Sequence, residues 1–215
     1  MISRRSLILT PLLVPMGVHL AQAALPIPAR RALAFRIRRN GDVVGQHALR
    51  FSGDERALEV AIEIDIVVKL GPIAVYRYHH RGTETWRDGR FAGMQSKTDD
   101  DGSDAFFDAQ RTAEGMQVKG SKTEPYIAPD GVLPTTYWNR AILQSHVINS
   151  QDGRLLDVSV TALGAEQVPV ASGRVEAAHF QLRGDLPIDL WYDADNQWAY
   201  LEFTKRSSRI TYEKL

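Results

Sequence analysis

An aromatic stretch at residues 76–86 holds the histidine and carboxylate that are the first candidates for chemistry in this chain. An extended strand there would carry Tyr76, Tyr78, His80, Glu84 and Trp86 on one face, because alternate side chains of a strand point the same way. The neighbouring histidine at position 79 would point to the other face, so the two histidines would not readily share one metal ion. Paired, His80 and Glu84 would suit a hydrolase; as part of a pocket wall, the same face would bind a small molecule.

A second candidate lies in the segment at 134–139, which follows a loop and contains Tyr137, Trp138 and Asn139. In one interpretation Trp138 inserts into the core and the segment closes the end of a barrel. In the other, the three residues form a ligand gate that supplies stacking and hydrogen bonds. Both interpretations stay open on the sequence. The full set of predicted ligand-binding residues is Tyr76, Tyr78, His80, Glu84, Trp86, Tyr137, Trp138 and Asn139.

Recognised catalytic and cofactor motifs are absent from the sequence. There is no His-Glu-x-x-His zinc motif, Gly-x-Ser-x-Gly elbow, phosphate loop or dinucleotide glycine pattern. The acidic run Asp99–Asp104 lacks the spacing of an EF-hand loop and fits a hairpin turn. The remaining isolated histidines, His47, His146 and His179, would meet His80 only if the fold brought them together. We therefore expect no catalytic residue, no bound metal and no cofactor, and an enzyme is less favoured than a binding protein.

The elements that position these residues are predicted to be strands. In Ala57–Val68 the aliphatic side chains alternate with acidic ones, which is typical of a half-buried strand. Asn40-Gly41 is a turn dipeptide that joins two such strands into a hairpin. The whole pattern predicts an all-β fold, an antiparallel barrel or half-barrel of about eleven to thirteen strands. One short helix is expected near residues 135–145, with Thr135 or Thr136 as its N-cap.

Residues 1–23 have the layout of a cleaved secretory signal peptide. Arg4 and Arg5 precede an apolar stretch that ends near Leu20, and small residues follow at Ala21-Gln22-Ala23. The paired arginines also fit a twin-arginine signal. The sequence thus predicts a periplasmic protein in which residues 24–215 form a single β domain without a membrane-spanning segment.

The amino-acid composition excludes some classes of partner and of chemistry. The chain has 26 basic and 26 acidic residues, a formal net charge of zero, so nucleic acid is not an expected partner. It has no cysteine, which excludes thiol catalysis, cysteine-ligated metals and stabilisation by disulfides.

Four stretches taken together resemble a known family. They are Tyr76–Trp86, Ser96–Gly102, Leu133–Asn139 and Leu186–Asp193, followed by a closing Arg209–Glu213. In this order they are similar to a family of exported bacterial proteins known as domain of unknown function six-one-three-four. The resemblance covers essentially residues 24–215 and implies an exported all-β protein. It brings no activity, so it assigns no catalytic residue.

Three functions follow as hypotheses. The first is a binding or carrier protein that holds an apolar or amphipathic small molecule between aromatic strand faces. The second is a structural or protein-interaction module of the cell envelope, which would use an exposed strand edge or apolar patch. The third, less favoured, is a hydrolase that acts through His80 and Glu84.

Overall fold

The computed structural model describes residues 24–215, so the predicted signal at 1–23 lies outside the described residues. Within this range the chain forms sixteen strands and one short 3-10 helix, Arg140–Gln144. The strands are β1 Ala32–Arg39, β2 Asp42–Gly53, β3 Ala57–Leu70, β4 Ile73–Arg87, β5 Arg90–Asp100, β6 Ser103–Thr112, β7 Gly115–Gly120, β8 Thr123–Ala128, β9 Leu133–Pro134, β10 Val147–Ile148, β11 Leu155–Leu156, β12 Val158–Val170, β13 Gly173–Gly184, β14 Ile188–Tyr192, β15 Trp198–Lys205 and β16 Ser208–Lys214. No helix of the described range is both long and apolar enough to cross a bilayer.

Thirteen of these strands form one antiparallel sheet in the order β12-β13-β14-β15-β16-β1-β2-β3-β4-β5-β6-β7-β8. Strands that follow one another in the chain are neighbours within β1–β8 and within β12–β16. Strand β16 pairs with β1 and so joins these two halves of the sheet. The edge strands β12 and β8 do not pair with each other within the described range, so the sheet is an open barrel. This confirms the predicted all-β barrel or half-barrel.

The strands alternate buried and exposed side chains as the sequence predicts. In β3, Leu58, Val60 and Ile62 are buried, whereas Glu59 and Ala61 are exposed. Buried residues from twelve of the thirteen strands and from β9 and β10 belong to one continuous core. A flat sheet could not bring these side chains into one cluster, so the sheet must curl around its apolar face.

Three hairpins turn through an Asn-Gly or Asp-Gly pair in which both φ angles are positive: Asn40-Gly41, Asp88-Gly89 and Asp101-Gly102. This is the type I′ turn, whose twist matches that of the flanking strands, and Asn, Asp and Gly tolerate it best. The Asp101-Gly102 turn joins β5 to β6, and the Asp99 carboxylate accepts a hydrogen bond from the Gly102 N–H at 2.7 Å. The acidic run is therefore a hairpin turn, as its spacing indicates.

The segment at 129–157 leaves the sheet after β8 and fills part of its inner face. It contributes Val132, Leu133, Trp138 and Ile148 to the core, and Trp138 is fully buried. The Trp138 ring packs edge-on against Phe51, with the ring centroids 5.2 Å apart. We call residues 129–157 the closing segment, because they occupy space that the curled sheet would otherwise enclose.

The helix predicted near residues 135–145 is present, but only as the 3-10 helix Arg140–Gln144. Its N-cap is Asn139, whose side-chain oxygen accepts from the Ala141 N–H at 3.0 Å, so the prediction of Thr135 or Thr136 was wrong. The physical reason is that Thr135 is held elsewhere: its N–H bonds the Ile148 carbonyl, and its hydroxyl, which a cap would need, bonds Ser150. In addition, Tyr137 has a φ of 62°, which a right-handed helix does not allow.

Replacing Trp138 with alanine should lower the free energy of unfolding by about 3–5 kcal/mol, the usual loss for a buried large aromatic side chain. Urea denaturation followed by circular dichroism measures this. Ile127→Ala is the matched control, since Ile127 is 49% exposed on β8 and should change stability little. Equal effects of the two substitutions would contradict the role assigned to the closing segment.

Candidate ligand-binding site

A cavity of about 630 Å³ opens at the end of the barrel that carries the β1–β2, β3–β4, β5–β6 and β15–β16 turns. Much of its wall is aliphatic or aromatic, because the inward faces of β1, β3, β15 and β16 are apolar. The side chains that form this part of the wall include Ile37, Ile64, Ile66, Leu201, Phe203 and Ile210. This part of the wall therefore offers hydrocarbon surface to a ligand.

Two groups among its polar side chains differ in burial. The buried group comprises His47, His80, Tyr78 and Tyr212, on strands that also contribute to the core. The exposed group lies at the hairpin turns and consists of Arg39, Asp101, Lys205 and Arg206. The cavity is thus uncharged or weakly polar inside and charged at its mouth.

His47 is the most unusual residue of this wall. It is 2% exposed, and neither ring nitrogen has a hydrogen-bond partner among the described residues. Burial, with a smaller contribution from nearby His80, lowers the pKa of His47 to about 3, so the ring is neutral at ordinary pH. A neutral imidazole has one donor and one acceptor, and leaving both unpaired in the interior is unfavourable. Neither nitrogen is exposed to the cavity, so a ligand could bond His47 only after a side chain of the wall moved.

His80 lies two strands away from His47 on the same face, since both pair with Ile64 of β3. Their backbones are therefore roughly 10 Å apart. Nδ1 of His80 is 2.8 Å from the Thr98 hydroxyl, which leaves Nε2 without a partner among the described residues. Burial lowers the pKa of His80 to about 4, with His79 adding a smaller effect. Both histidines are consequently neutral hydrogen-bonding groups.

The tyrosines extend this wall toward the mouth. The Tyr76 hydroxyl donates to Asp100 at 2.6 Å, and burial is the main cause that raises its pKa. Tyr137 lines the cavity from the closing segment, and its carbonyl accepts a hydrogen bond from the Tyr192 hydroxyl at 2.8 Å. A positive φ is unfavourable for a bulky residue, so this contact helps hold Tyr137 in a strained position.

Glu84 lies further along β4, beneath the cavity, and is 1% exposed. Its carboxylate accepts hydrogen bonds from the indole N–H groups of Trp86 at 2.7 Å and Trp138 at 3.0 Å. Burial raises the pKa of Glu84 to about 7, although the bonds from Trp138, Thr136 and Trp86 act in the opposite direction. No hydrogen bond joins Glu84 to His80, so the geometry of a hydrolase pair is not formed.

The eight predicted site residues are thus divided by the structure. Tyr76, Tyr78, His80 and Tyr137 line the cavity. Glu84, Trp86 and Trp138 form a hydrogen-bonded group in the core, and Asn139 caps the 3-10 helix. Their common role in binding a ligand stays a prediction.

Sequence reasoning did not select His47, Tyr212 or the basic mouth residues. The alternation of His47, Leu49 and Phe51 along β2 indicates that His47 faces inward, and this signal is present in the sequence. Its proximity to His80 depends on strand order, which no local pattern reveals.

One group of side chains on the outer face has metal-binding types. Ligand atoms of Glu63, Asp65 and His79 lie within 4.8 Å of one another. These groups already have partners, because Nδ1 of His79 is 2.5 Å from Asp65 and the Arg81 guanidinium bonds Glu63 at 2.7 Å. A cation there would compete with Arg81, so we do not assign a metal site.

Comparison with known proteins places this fold. The model of a family described as "Domain of unknown function (DUF6134)" matches residues 35–214. The chain belongs to this family. This is the family that the four stretches of the sequence resemble.

A solved structure from Brucella abortus, described as a beta-barrel-like protein of domain of unknown function DUF1849, is similar in fold. The TM-score is 0.59 at 12% identity, over 86% of this chain and 94% of that chain. At this identity the likeness shows the fold alone. No curated protein matches the chain.

The buried Glu84 gives a pH dependence whose sign can be tested. A carboxyl pKa raised from 4.5 to about 7 stabilises the folded protein at low pH, and this contribution is lost as the pH rises through 7. We therefore compare the free energy of unfolding of Glu84→Gln with that of wild type at the two pH values. Raising the pH from 4.5 to 8 should shift this difference by about 3 kcal/mol in favour of the variant. Urea denaturation at both pH values measures the difference.

The control for this experiment is Glu59→Gln, at an exposed position on β3. Its difference from wild type should stay constant with pH. If Glu84→Gln behaved in the same way, the carboxyl of Glu84 would not be held in the environment described above.

Proposed function

We propose that this protein binds an apolar or amphipathic small molecule in the cavity of its open barrel. The observation that carries the proposal is the aliphatic cavity of about 630 Å³ with the unpartnered, buried His47 in its wall. That volume corresponds to roughly twenty water molecules and lies within the usual range for ligand pockets. A core filled by side chains would have spoken against binding.

The chemistry of the wall favours one orientation of the ligand. Hydrocarbon would lie against Ile64, Ile66 and Phe203, where burial of apolar surface drives binding. The innermost polar group would be uncharged, such as a hydroxyl or an ester carbonyl, because His47 and His80 are neutral and a buried ion without a charged partner is unfavourable. An anionic group would fit only at the mouth, near Arg39 and Lys205.

Export to the periplasm is the second part of the proposal. It is supported by the signal-peptide layout of residues 1–23. Native mass spectrometry of protein purified from its own cell envelope would identify the ligand that it carries there.

The cavity can be tested with the apolar dye N-phenyl-1-naphthylamine, whose fluorescence rises in apolar surroundings. Ile66→Trp places a larger side chain in the cavity wall and should weaken dye binding by about tenfold or more, because the added volume displaces the dye. Val67→Trp on the same strand alternates to the other face and should leave dye binding unchanged. Absence of dye binding by the wild type, or equal losses in both variants, would contradict the proposal.

His47 provides the sharper test of ligand chemistry. His47→Phe should raise the free energy of unfolding by about 1–3 kcal/mol, because it removes two unpaired buried polar atoms. The same variant should weaken displacement of the dye by a long-chain alcohol by about tenfold and leave displacement by the matching alkane unchanged. A parallel loss for both competitors would show that His47 acts through packing and not through hydrogen bonding.

A second candidate function is interaction with an envelope protein through β12. This edge strand of thirteen residues is exposed along most of its length, including Leu163, which is 51% exposed. An uncovered edge offers free backbone N–H and C=O groups to another strand. Pull-down from an envelope extract tests it: a specific partner retained by wild type and lost by Leu163→Lys would favour this function.

A further inference from the structure

The turns around the cavity mouth combine exposed apolar side chains with unpaired cations. Leu70 and Ile73 at the tip of the β3–β4 hairpin are 75% and 66% exposed, and Val43 and Val75 are exposed beside them. Exposed apolar side chains at one end of a protein often mark a site that meets a protein or a membrane. It lies at the opening through which an apolar ligand would have to pass.

The β3–β4 hairpin also separates from the strands on both sides of it before its tip. The last pairs with adjacent strands are Gly45 with Ile66 on one side and Tyr78 with Asp100 on the other. The four remaining residues of β3, up to Leu70, pair only with β4, so roughly 13 Å of the ribbon is separate from β2, which itself continues to Asp42 in its pairing with β1. An amphipathic element in a bilayer interface is buried by about 5–10 Å, which this ribbon can reach.

Basic side chains surround the tip of this hairpin. They are contributed by the β15–β16, β1–β2 and β3–β4 hairpins, which are neighbours in the sheet. None of them forms an ion pair with another described residue. These side chains are Arg39, Lys69, Arg77, Lys205 and Arg206.

Acidic side chains also lie at this end, most of them in the β5–β6 turn, which carries Asp99, Asp100, Asp101 and Asp104. Asp42 is the exposed carboxylate within the same arc of hairpins, and it leaves the arc positive. The aspartates of the β5–β6 turn lie beside β4, where Asp100 and Asp101 accept hydrogen bonds from Tyr76 and from the Arg77 backbone.

The β15–β16 turn gives a second, independent observation. Arg206 and Ser207 both have positive φ angles, 48° and 62°, the pattern of the type I′ turn. Asn-Gly is the preferred pair for such a turn, and the chain uses Asn40-Gly41 for this purpose in the neighbouring hairpin. Arginine and serine are less favourable there, so the turn keeps a cation at the mouth at a conformational cost.

From these observations we propose that this end of the barrel docks on an anionic lipid bilayer, with the β3–β4 tip inserted among the headgroups and the basic arc on the lipid phosphates. The proposal extends the proposed function, because docking there brings the cavity mouth against the source or destination of an apolar ligand. The charge complementarity and the exposed apolar tip select a bilayer over a protein surface.

Vesicle flotation tests the docking surface directly. Wild-type protein should bind phosphatidylcholine vesicles that contain phosphatidylglycerol, and binding should fall at high salt. The double variant Leu70→Asp with Ile73→Asp should bind at least about tenfold more weakly. Leu163→Asp changes an equally apolar, exposed residue on the distant β12 strand and is the matched control, with no change expected.

The strained turn supplies a variant that cannot fail through loss of fold. Arg206→Asn with Ser207→Gly should raise the melting temperature, because it installs the preferred turn residues. It should also weaken binding to anionic vesicles by about fivefold, with no change on pure phosphatidylcholine. A stabilised variant with undiminished binding to anionic vesicles would overturn the role of Arg206.

Dye binding without vesicles separates this proposal from the proposed function. The tip variant should keep the wild-type affinity for N-phenyl-1-naphthylamine, since its substitutions lie outside the cavity. Vesicle binding without dye binding would refute the ligand proposal and keep the docking surface. Absence of vesicle binding by the wild type would overturn docking. Self-association of the wild type in sedimentation that Leu70→Asp with Ile73→Asp abolishes would also overturn it, because a second copy would then cover the tip.

Discussion

The closing segment is fixed inside the barrel by one buried carboxyl group that bonds two tryptophans. A sheet of thirteen strands that curls on its apolar face encloses more space than its own side chains fill, and the closing segment at 129–157 occupies part of it. Trp138 fixes this segment by packing on Phe51 and by donating its indole N–H to Glu84. A carboxylate in the interior needs such donors, and the second comes from Trp86 on its own strand. Where the closing segment ends, the cavity begins.

The side chains on the inner face of β4 therefore change in type from the cavity mouth to the core. Tyr76 stands at the mouth, Tyr78 and His80 line the cavity, and Glu84 and Trp86 lie in the core below. The groups that face the cavity are neutral there, because burial lowers the pKa values of His47 and His80 and raises that of Tyr78. An interior of this kind can orient a ligand by hydrogen bonds while most of the contact stays apolar.

Local pattern was enough to predict the strands, the face of β4 and the Asn40-Gly41 turn, because each depends on neighbours in sequence. It could not place Trp138, since its partner Glu84 lies 54 residues away and both interpretations of the segment satisfied the sequence. It could not bring His47 to His80 either, because that requires the order of β2, β3 and β4. The N-cap was missed for a related reason: the Thr135 backbone is held by a distant strand, and tertiary pairing outweighs local capping preference.

Residues in unfavourable backbone conformations or without hydrogen-bond partners are concentrated around the cavity. In the described range, four residues other than Gly, Asn and Asp have positive φ, and Arg31 is the one away from the cavity. Tyr137 and Arg206 line it and Ser207 follows directly, while His47 in the same wall has both ring nitrogens unpaired. Each of these features weakens the folded state, and a sequence selected for stability alone would have little reason to retain them in one place. An amphipathic ligand in the apolar cavity and a charged lipid surface at its basic mouth would together explain why these features occur in one place.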